Sequence, residues 1–367
     1  MKIVHVVYSM ELGGAEMLVA QLGRMQRAAG HDVTVCAYSK LGPLGELLRD
    51  EGLHVHVMGV APVWETMWRY LRLFRAMRPD VVHCHNPAPT LQAAMGGRLA
   101  GARVISTRHS LVSPPYDRNA EMKFSLMARL FVHAVAGICE ITCRNLRGAP
   151  LAKQDQIVRV YNGAAPLDEA LPAPREEGLL VLLFVGRVAE IKDLPTLLRA
   201  FALAVQKRPE LRLWIVGDGP VRVALEQLAI ELGVGDRVRF YGQRLDTAGL
   251  FRAADAFCMS SVSEGLPMSL LQAMSIGLPA LVTDVGGMQE VLQLSGGGLR
   301  VPVGDHAAMA DAMVALAGDS QVRQRCGALA RQAYEEHFTL AQMHAAYLRL
   351  YAAALHQDGS GPPHSAA

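Results

Sequence analysis

The chain opens on an apolar, β-branched run, Lys2–Tyr8, without the polar alternation of a half-exposed strand. Runs of this kind are typical of strands buried on both faces of a parallel sheet. Further strands are predicted at Asp32–Ala37, His54–Met58, Asp80–His85, Arg103–His109, Gln156–Tyr161, Leu179–Val185, Leu211–Val216, Val238–Tyr241 and Ala256–Ser260. Between them, apolar residues recur at the spacing of amphipathic helices. These are Met17–Ala29, Trp64–Arg78, a helix from Leu194, Met268–Ser275, Asp305–Ala317, Ser320–His337 and Leu340–Leu355. Tyr116–Ala136 is rich in Met and Leu and reads either as a core helix or as an exposed surface. Strand and helix in alternation predict an α/β protein.

Length changes that picture from one domain to two, because 367 residues exceed what a single core usually supports. Ala164–Gly178, rich in Pro, Ala and charge, reads as a linker, which gives halves of 1–165 and 166–339. Lys207-Arg208-Pro209-Glu210 echoes Met77-Arg78-Pro79-Asp80, a cadence that points weakly to paired domains of one type. The tail 357–367, with Gly, Ser, Pro and His, reads as disordered. A hydrophobic content of 51% and a net charge of +2 describe a globular chain with no field for nucleic acid. Cys36, Cys84, Cys139, Cys143, Cys258 and Cys326 are scattered in apolar contexts, as small core residues of a reducing compartment would be. Cys139 and Cys143 lie one helical turn apart, with no second pair at metal-ligand spacing. MKIVHVVYS lacks a signal-peptide core, and no apolar stretch is long enough to span a bilayer, which predicts a soluble or peripheral protein, cytoplasmic if the cysteines are reduced.

The chemistry concentrates in Asp255–Gly287, which reads as strand, acidic loop, helix, strand and glycine turn. Pro267 suits a first helical turn, so the helix start at Met268 should aim free N–H groups at an anion, with Glu264 placed to accept sugar hydroxyls beside it. An ordinary βαβ unit with an exposed glutamate reads equally well from these residues alone. Upstream, Arg187 and Lys192 lie five residues apart on a strand-to-helix loop, where two cations can converge on one diphosphate or simply be solvated. Asp193 follows them as a candidate helix cap. Gly13-Gly14 lies in the turn between the first strand and helix, without the G-x-G-x-x-G of a dinucleotide enzyme, and allows close backbone approach to a ligand or merely a tight turn. His109 stands at a strand end, where open α/β sheets bind ligands, although a lone histidine is more often structural. Trp64–Arg78 interleaves Arg69, Arg72, Arg75 and Arg78 with Trp64, Trp68 and Phe74; it suits an anionic membrane surface or a helix packed on the sheet with solvated arginines.

The acidic loop with its following helix resembles the signature of glycosyltransferase family 4, the retaining nucleotide-sugar glycosyltransferases of GT-B fold. The family pattern is Glu, seven residues, Glu; this chain has Glu264 and then Gln272, an uncharged residue where the family's second carboxylate holds the donor ribose. Gly13-Gly14-Ala15-Glu16 is similar to the family's first loop, and Asn162-Gly163 to its interdomain approach. The resemblance implies two Rossmann-like domains facing across a cleft, acceptor on the N-terminal one and donor on the C-terminal one, with the final helix 340–355 packing back on the first. It implies catalytic roles for His109, Arg187, Lys192 and Glu264. It also implies donor contacts from Gly13, Gly14, Gly217, Gln243, Arg244, Gly265, Leu266, Met268, Ser269 and Gln272. The implied reaction moves a sugar from a nucleotide sugar, a UDP-sugar first and a GDP-sugar as the alternative, to a glycan or lipid-linked acceptor in surface polysaccharide, lipopolysaccharide or glycolipid synthesis. Neither metal nor cofactor is implied, and the acceptor suggests peripheral contact with the cytoplasmic face of the inner membrane. A nucleotide-sugar epimerase shares paired Rossmann-like domains and is a second reading. A nucleotide-sugar-binding protein of weak catalysis, motivated by Gln272, is a third.

Overall fold

A computed structural model describes residues 1–111, 117–167 and 171–356. The chain divides into two units, one of Met1–Gly163 with the chain from Leu340 on, the other of Ala164–Thr339.

The first unit alternates β1 (Lys2–Val7), α1 (Gly14–Ala28), β2 (Asp32–Ala37), α2 (Gly42–Asp50), β3 (His54–Val57), α3 (Val63–Met77), β4 (Val81–His85), α4 (Pro87–Leu99), β5 (Arg103–Arg108), α5 (Arg118–Phe131), β6 (Ala134–Gly137), α6 (Glu140–Gly148) and β7 (Ile157–Arg159). Its seven strands are all parallel in the order β3-β2-β1-β4-β5-β6-β7. The order reverses between β1 and β4, which makes the carboxyl ends of those strands the place where such a sheet leaves a crevice. The sheet is covered on both faces: Val7, Met10, Val19, Val35 and Leu44 pack on one side, and Tyr70, Phe74, Val82, Cys84, Val104 and Phe124 on the other.

The second unit repeats the plan with β8 (Leu180–Val185), α7 (Leu194–Lys207), β9 (Leu211–Val216), α8 (Arg222–Glu231), β10 (Val238–Gly242), α9 (Ala248–Ala253), β11 (Ala256–Met259), α10 (Met268–Ser275), β12 (Ala280–Thr283), α11 (Gly286–Ser295), β13 (Gly298–Val301), α12 (His306–Gly318) and α13 (Ser320–Ala333). Six parallel strands run β10-β9-β8-β11-β12-β13, and the switch point lies between β8 and β11. The last helix, α14 (Leu340–His356), belongs to the first unit and lies against α1 and β5. Its Tyr347 and Tyr351 are fully buried.

Several sequence expectations shift. Helix α1 begins at Gly14 rather than Met17, because Gly13 is already its extended N-cap residue. The stretch expected from Tyr116 starts among residues 112–116, outside the described ones, and beyond helix α5 it turns into β6, a strand of four small residues, AVAG. His109 follows β5 rather than closing it. Phe74 is fully buried on α3 and lies in the core, whereas Trp64 and Trp68 are 67% and 56% exposed. At helical spacing Phe74 shares the face of Tyr70 and Leu71, opposite the arginines. Asp193 is no side-chain cap: it occupies the left-handed region at φ 44°, where glycine is most at ease, and makes no cap hydrogen bond. The Arg-Pro-acid echo precedes β4 in one sheet and β9 in the other, strands that are not equivalent in the two orders. The tail expected from Gln357 lies outside the described residues. All six cysteines are buried and free. Among the described residues no helix is long and apolar enough to cross a membrane.

Candidate active site

At the second unit's switch point two loops meet, Gly186–Asp193 after β8 and Ser260–Pro267 after β11. Val262 N–H donates to Ile191 C=O at 3.0 Å, and the Ser260 hydroxyl to Lys192 C=O at 2.8 Å, so the loops are tied by one backbone and one side-chain hydrogen bond. The tie brings the Lys192 ammonium onto the Glu264 carboxylate, which also accepts from the Ser261 hydroxyl at 2.8 Å. These two side chains are only 15% and 12% exposed, so the pair is partly withdrawn from water, where an ion pair is stronger than on an open surface. Arg187 on the same loop is exposed, with no ion pair among the described residues.

Glycine sets the shape of the neighbouring turns. Gly217 sits at φ 132°, and a Cβ there would lie 1.9 Å from the Gly186 carbonyl oxygen. A Cβ at Gly219 would lie 2.0 Å from that of Val188. Gly287 donates its N–H to Gly265 C=O at 2.7 Å, and a Cβ on it would fall 2.0 Å from that oxygen. Backbone therefore packs on backbone around the Lys192–Glu264 pair. Helix α10 starts beside it at Met268 after an extended Pro267, and no side chain caps it. Its first N–H groups therefore keep the partial positive charge of an open helix start. Gly265 and Leu266 are buried, and Met268, Ser269 and Gln272 are half-buried along that first turn and the next. Gln243 and Arg244 are exposed just after β10, with the Arg244 guanidinium 5.9 Å from the Tyr241 ring centre.

In the first unit, Glu16 folds back over the start of α1: a Cβ on Gly13 would lie 2.3 Å from its carboxylate oxygen. Burial pushes the Glu16 carboxyl above the usual range. His109 is held by its N–H, which donates to Asn86 Oδ1 at 2.9 Å, and by its Nε2, 2.9 Å from His85 Nδ1. Behind it lie His5, His83 and His85, which register and alternation place on one face of adjacent strands. Desolvation lowers His5 and His109 to about 4 and drives His83 and His85 well below the imidazole norm, so all four rings are neutral near pH 7. His5, His83 and Gln26 on α1 are the residues that sequence reasoning missed. The available signal was the alternation His83-Cys84-His85, two histidines two apart on a strand otherwise built of apolar residues.

Two parallel sheets of this doubly wound order, with a cation and a carboxylate joined at the second switch point, define a GT-B protein. Residues 12–166 match the family described as Glycosyltransferase Family 4, and residues 180–319 the one described as Glycosyl transferases group 1. The chain is 31% identical to N-acetyl-alpha-D-glucosaminyl L-malate synthase of Bacillus anthracis, over 95% of this chain and 96% of that protein. It is 28% identical to phosphatidyl-myo-inositol mannosyltransferase of Mycobacterium leprae, over 90% and 91% of the two. Among solved structures, Anabaena HepE in complex with UDP and glucose superposes with a TM-score of 0.86 at 19% identity, over 96% of this chain and 99% of that one. The chain belongs to the glycosyltransferases of family 4 and has their GT-B fold.

Proposed function

We propose that this glycosyltransferase moves a sugar from a nucleotide-diphosphate sugar to an acceptor hydroxyl, with retention at the anomeric carbon and without a metal. The observation that carries the proposal is the Lys192–Glu264 pair beside the uncapped start of α10. An arriving diphosphate gives Lys192 a second anion to bind and frees oxygens of Glu264 for sugar hydroxyls. As the bond from anomeric carbon to phosphate oxygen breaks, negative charge grows on the diphosphate, and Arg187, Lys192 and the N–H groups at Met268 and Ser269 stabilise it. That set supplies the positive charge for which other transferases recruit a divalent cation. Retention follows if the acceptor oxygen attacks from the face the phosphate leaves, with the departing oxygen taking the acceptor's proton.

The remaining assignments are proposals of the same kind. Gln272 holds the ribose, Gln243 and Arg244 meet the base, and Gly217, Gly265 and Leu266 shape the donor pocket. Gly13, Gly14 and His109 serve the sugar and acceptor from the first domain, 1–165, while 166–339 holds the donor. A UDP-sugar is favoured because HepE, of the same fold, binds UDP and glucose. Exposed Val60, Val63, Trp64 and Trp68 beside Arg72, Arg75 and Arg78 support peripheral contact with anionic lipid, each arginine contributing about 1 kcal/mol. Arg69 is set apart from that stripe, since it pairs with Glu65.

Incubation with UDP- and GDP-sugars in EDTA, with lipid-linked and soluble acceptors, should release free nucleoside diphosphate and give a product with the donor's anomeric configuration. An isomerised nucleotide sugar without transfer, an inverted product, or dependence on added metal would overturn the proposal. Anionic vesicles should sediment the protein at low salt and lose it when Arg72, Arg75 and Arg78 become Gln; equal sedimentation with neutral vesicles contradicts the membrane assignment.

A further inference from the structure

Behind His109 lies a chain of buried polar groups that the proposed transfer leaves without a task. On α1, Gln26 Oε1 is 2.7 Å from His5 Nε2, and an amide oxygen can only accept, so His5 carries its proton on Nε2. A neutral ring holds one proton, which leaves His5 Nδ1 bare. His85 Nε2, 3.0 Å away, must then donate to it. His85 Nδ1 is bare in turn and accepts from His109 Nε2 at 2.9 Å. The sequence ends at His109 Nδ1, a bare acceptor that is buried and has no partner among the described residues.

A second branch accommodates the Gln26 amide in that orientation. The Tyr351 hydroxyl lies 2.6 Å from His83 Nδ1 and 3.5 Å from Gln26 Nε2. It donates to the imidazole and accepts from the amide. His83 Nε2 then donates to Thr107 Oγ1 at 2.7 Å, and the Thr107 hydrogen goes to the Tyr347 oxygen at 3.1 Å. Both branches run outward from Gln26 without two donors or two acceptors meeting. His5, His83 and His85 offer ligand atoms within 4.8 Å of one another, close enough for a metal. All six of their ring nitrogens are already engaged in these hydrogen bonds, which favours a proton-ordering chain over an ion.

We propose that Gln26, His5 and His85 are positioning residues that fix the tautomer of His109, so that it offers substrate a bare Nδ1 and selects a hydroxyl or amide N–H there over a carboxylate or phosphate. What meets Nδ1 rests on the proposed transfer reaction; the tautomer does not, and the two can fail separately.

The test is a long-range proton–nitrogen correlation spectrum of the full chain labelled with 15N-histidine, at pH 7.5 in EDTA. His5, His85 and His109 should each show a protonated Nε2 and an unprotonated Nδ1; a His109 protonated on Nδ1 would overturn the proposal. Gln26→Met should move proton density of His109 onto Nδ1. It should also lower kcat for UDP release from UDP-glucose about tenfold, the kinetic equivalent of one misdirected hydrogen bond, with KM less affected. Tyr347→Phe removes a hydroxyl as deeply buried at the far end of the second branch, off the His5–His85–His109 run, and should leave the His109 tautomer unchanged. A Gln26→Met protein that folds and keeps His109 protonated on Nε2 would refute the relay, as would zinc, added in place of EDTA, binding His5, His83 and His85 stoichiometrically.

Discussion

In the first unit the candidate catalytic group, His109, is backed by buried side chains that hydrogen-bond one to the next as far as α1 and α14. In the second unit Lys192 and Glu264 sit at loops whose form comes from backbone packed on backbone at Gly217, Gly219 and Gly287. Both sheets are doubly wound and both carry their candidate residues at or next to the switch point, yet one group is ordered mainly by buried polar side chains and the other largely by close-packed backbone at glycines. The first should therefore be sensitive to the loss of a polar atom or the gain of a proton. The second should be sensitive to the gain of a methyl group, while the exposed charge of Arg187 can be removed without unfolding it.

The largest effect that would break this contrast is expected at Gly217. Gly217→Ala forces a Cβ onto the Gly186 carbonyl at a positive φ, and should cost the fold about 3 kcal/mol or more in denaturant unfolding. Gly233→Ala, also at positive φ but with nothing within 4 Å, should cost only about 1 kcal/mol. Equal losses at the two positions would remove the argument for backbone close packing.

Acid sharpens the other side of the comparison. His5 in the folded chain titrates at about 4, against 6.5 when exposed. As pH falls from 6.5 toward 4, the unfolded chain takes up a proton that the folded one refuses, so stability declines across that window and is unaffected above it. His5 alone accounts for about 3 kcal/mol by pH 4. Melting curves between pH 7.5 and 4.5 should show the decline, and His5→Gln, which cannot take up the proton, should make it shallower, the rest coming from His83, His85 and His109. A wild-type melting temperature constant over that range would contradict the buried, neutral network.

A smaller effect is expected at Gln272. A carboxylate accepts from ribose hydroxyls more strongly than an amide, so Gln272→Glu should hold or raise UDP affinity, by at most about tenfold in calorimetry. Loss of UDP binding by the folded variant would show that position 272 has another task.

Much of this was legible in the residues, for physical reasons that also mark where legibility stops. Strands such as β1, β8 and β9 declare themselves because burial on both faces demands unbroken apolar runs. Strand β6, Ala-Val-Ala-Gly, is as buried but carries one β-branched residue and escaped notice. Arg187, Lys192 and Glu264 were legible as candidates because each lies within a local motif. The histidine network was not, because bonded partners in it lie on strands and helices up to 325 residues apart, and Gln26 inside an amphipathic helix looks like any polar position. Asp193 misled for a related reason: its type suits a cap, but the turn that positions Lys192 requires a left-handed residue there.

The most direct test of the central claim, that the Lys192–Glu264 site binds and stabilises a leaving diphosphate, is nucleoside diphosphate release by Lys192→Ala and Arg187→Ala measured beside thermal unfolding. Both variants should stay folded, Arg187→Ala with its melting temperature unchanged and Lys192→Ala with a lowered one because Glu264 loses its cation, and each should lose transfer by about a hundredfold or more, the consequence of removing a charge-assisted contact of roughly 2–3 kcal/mol. Wild-type rates in both folded variants would contradict the account.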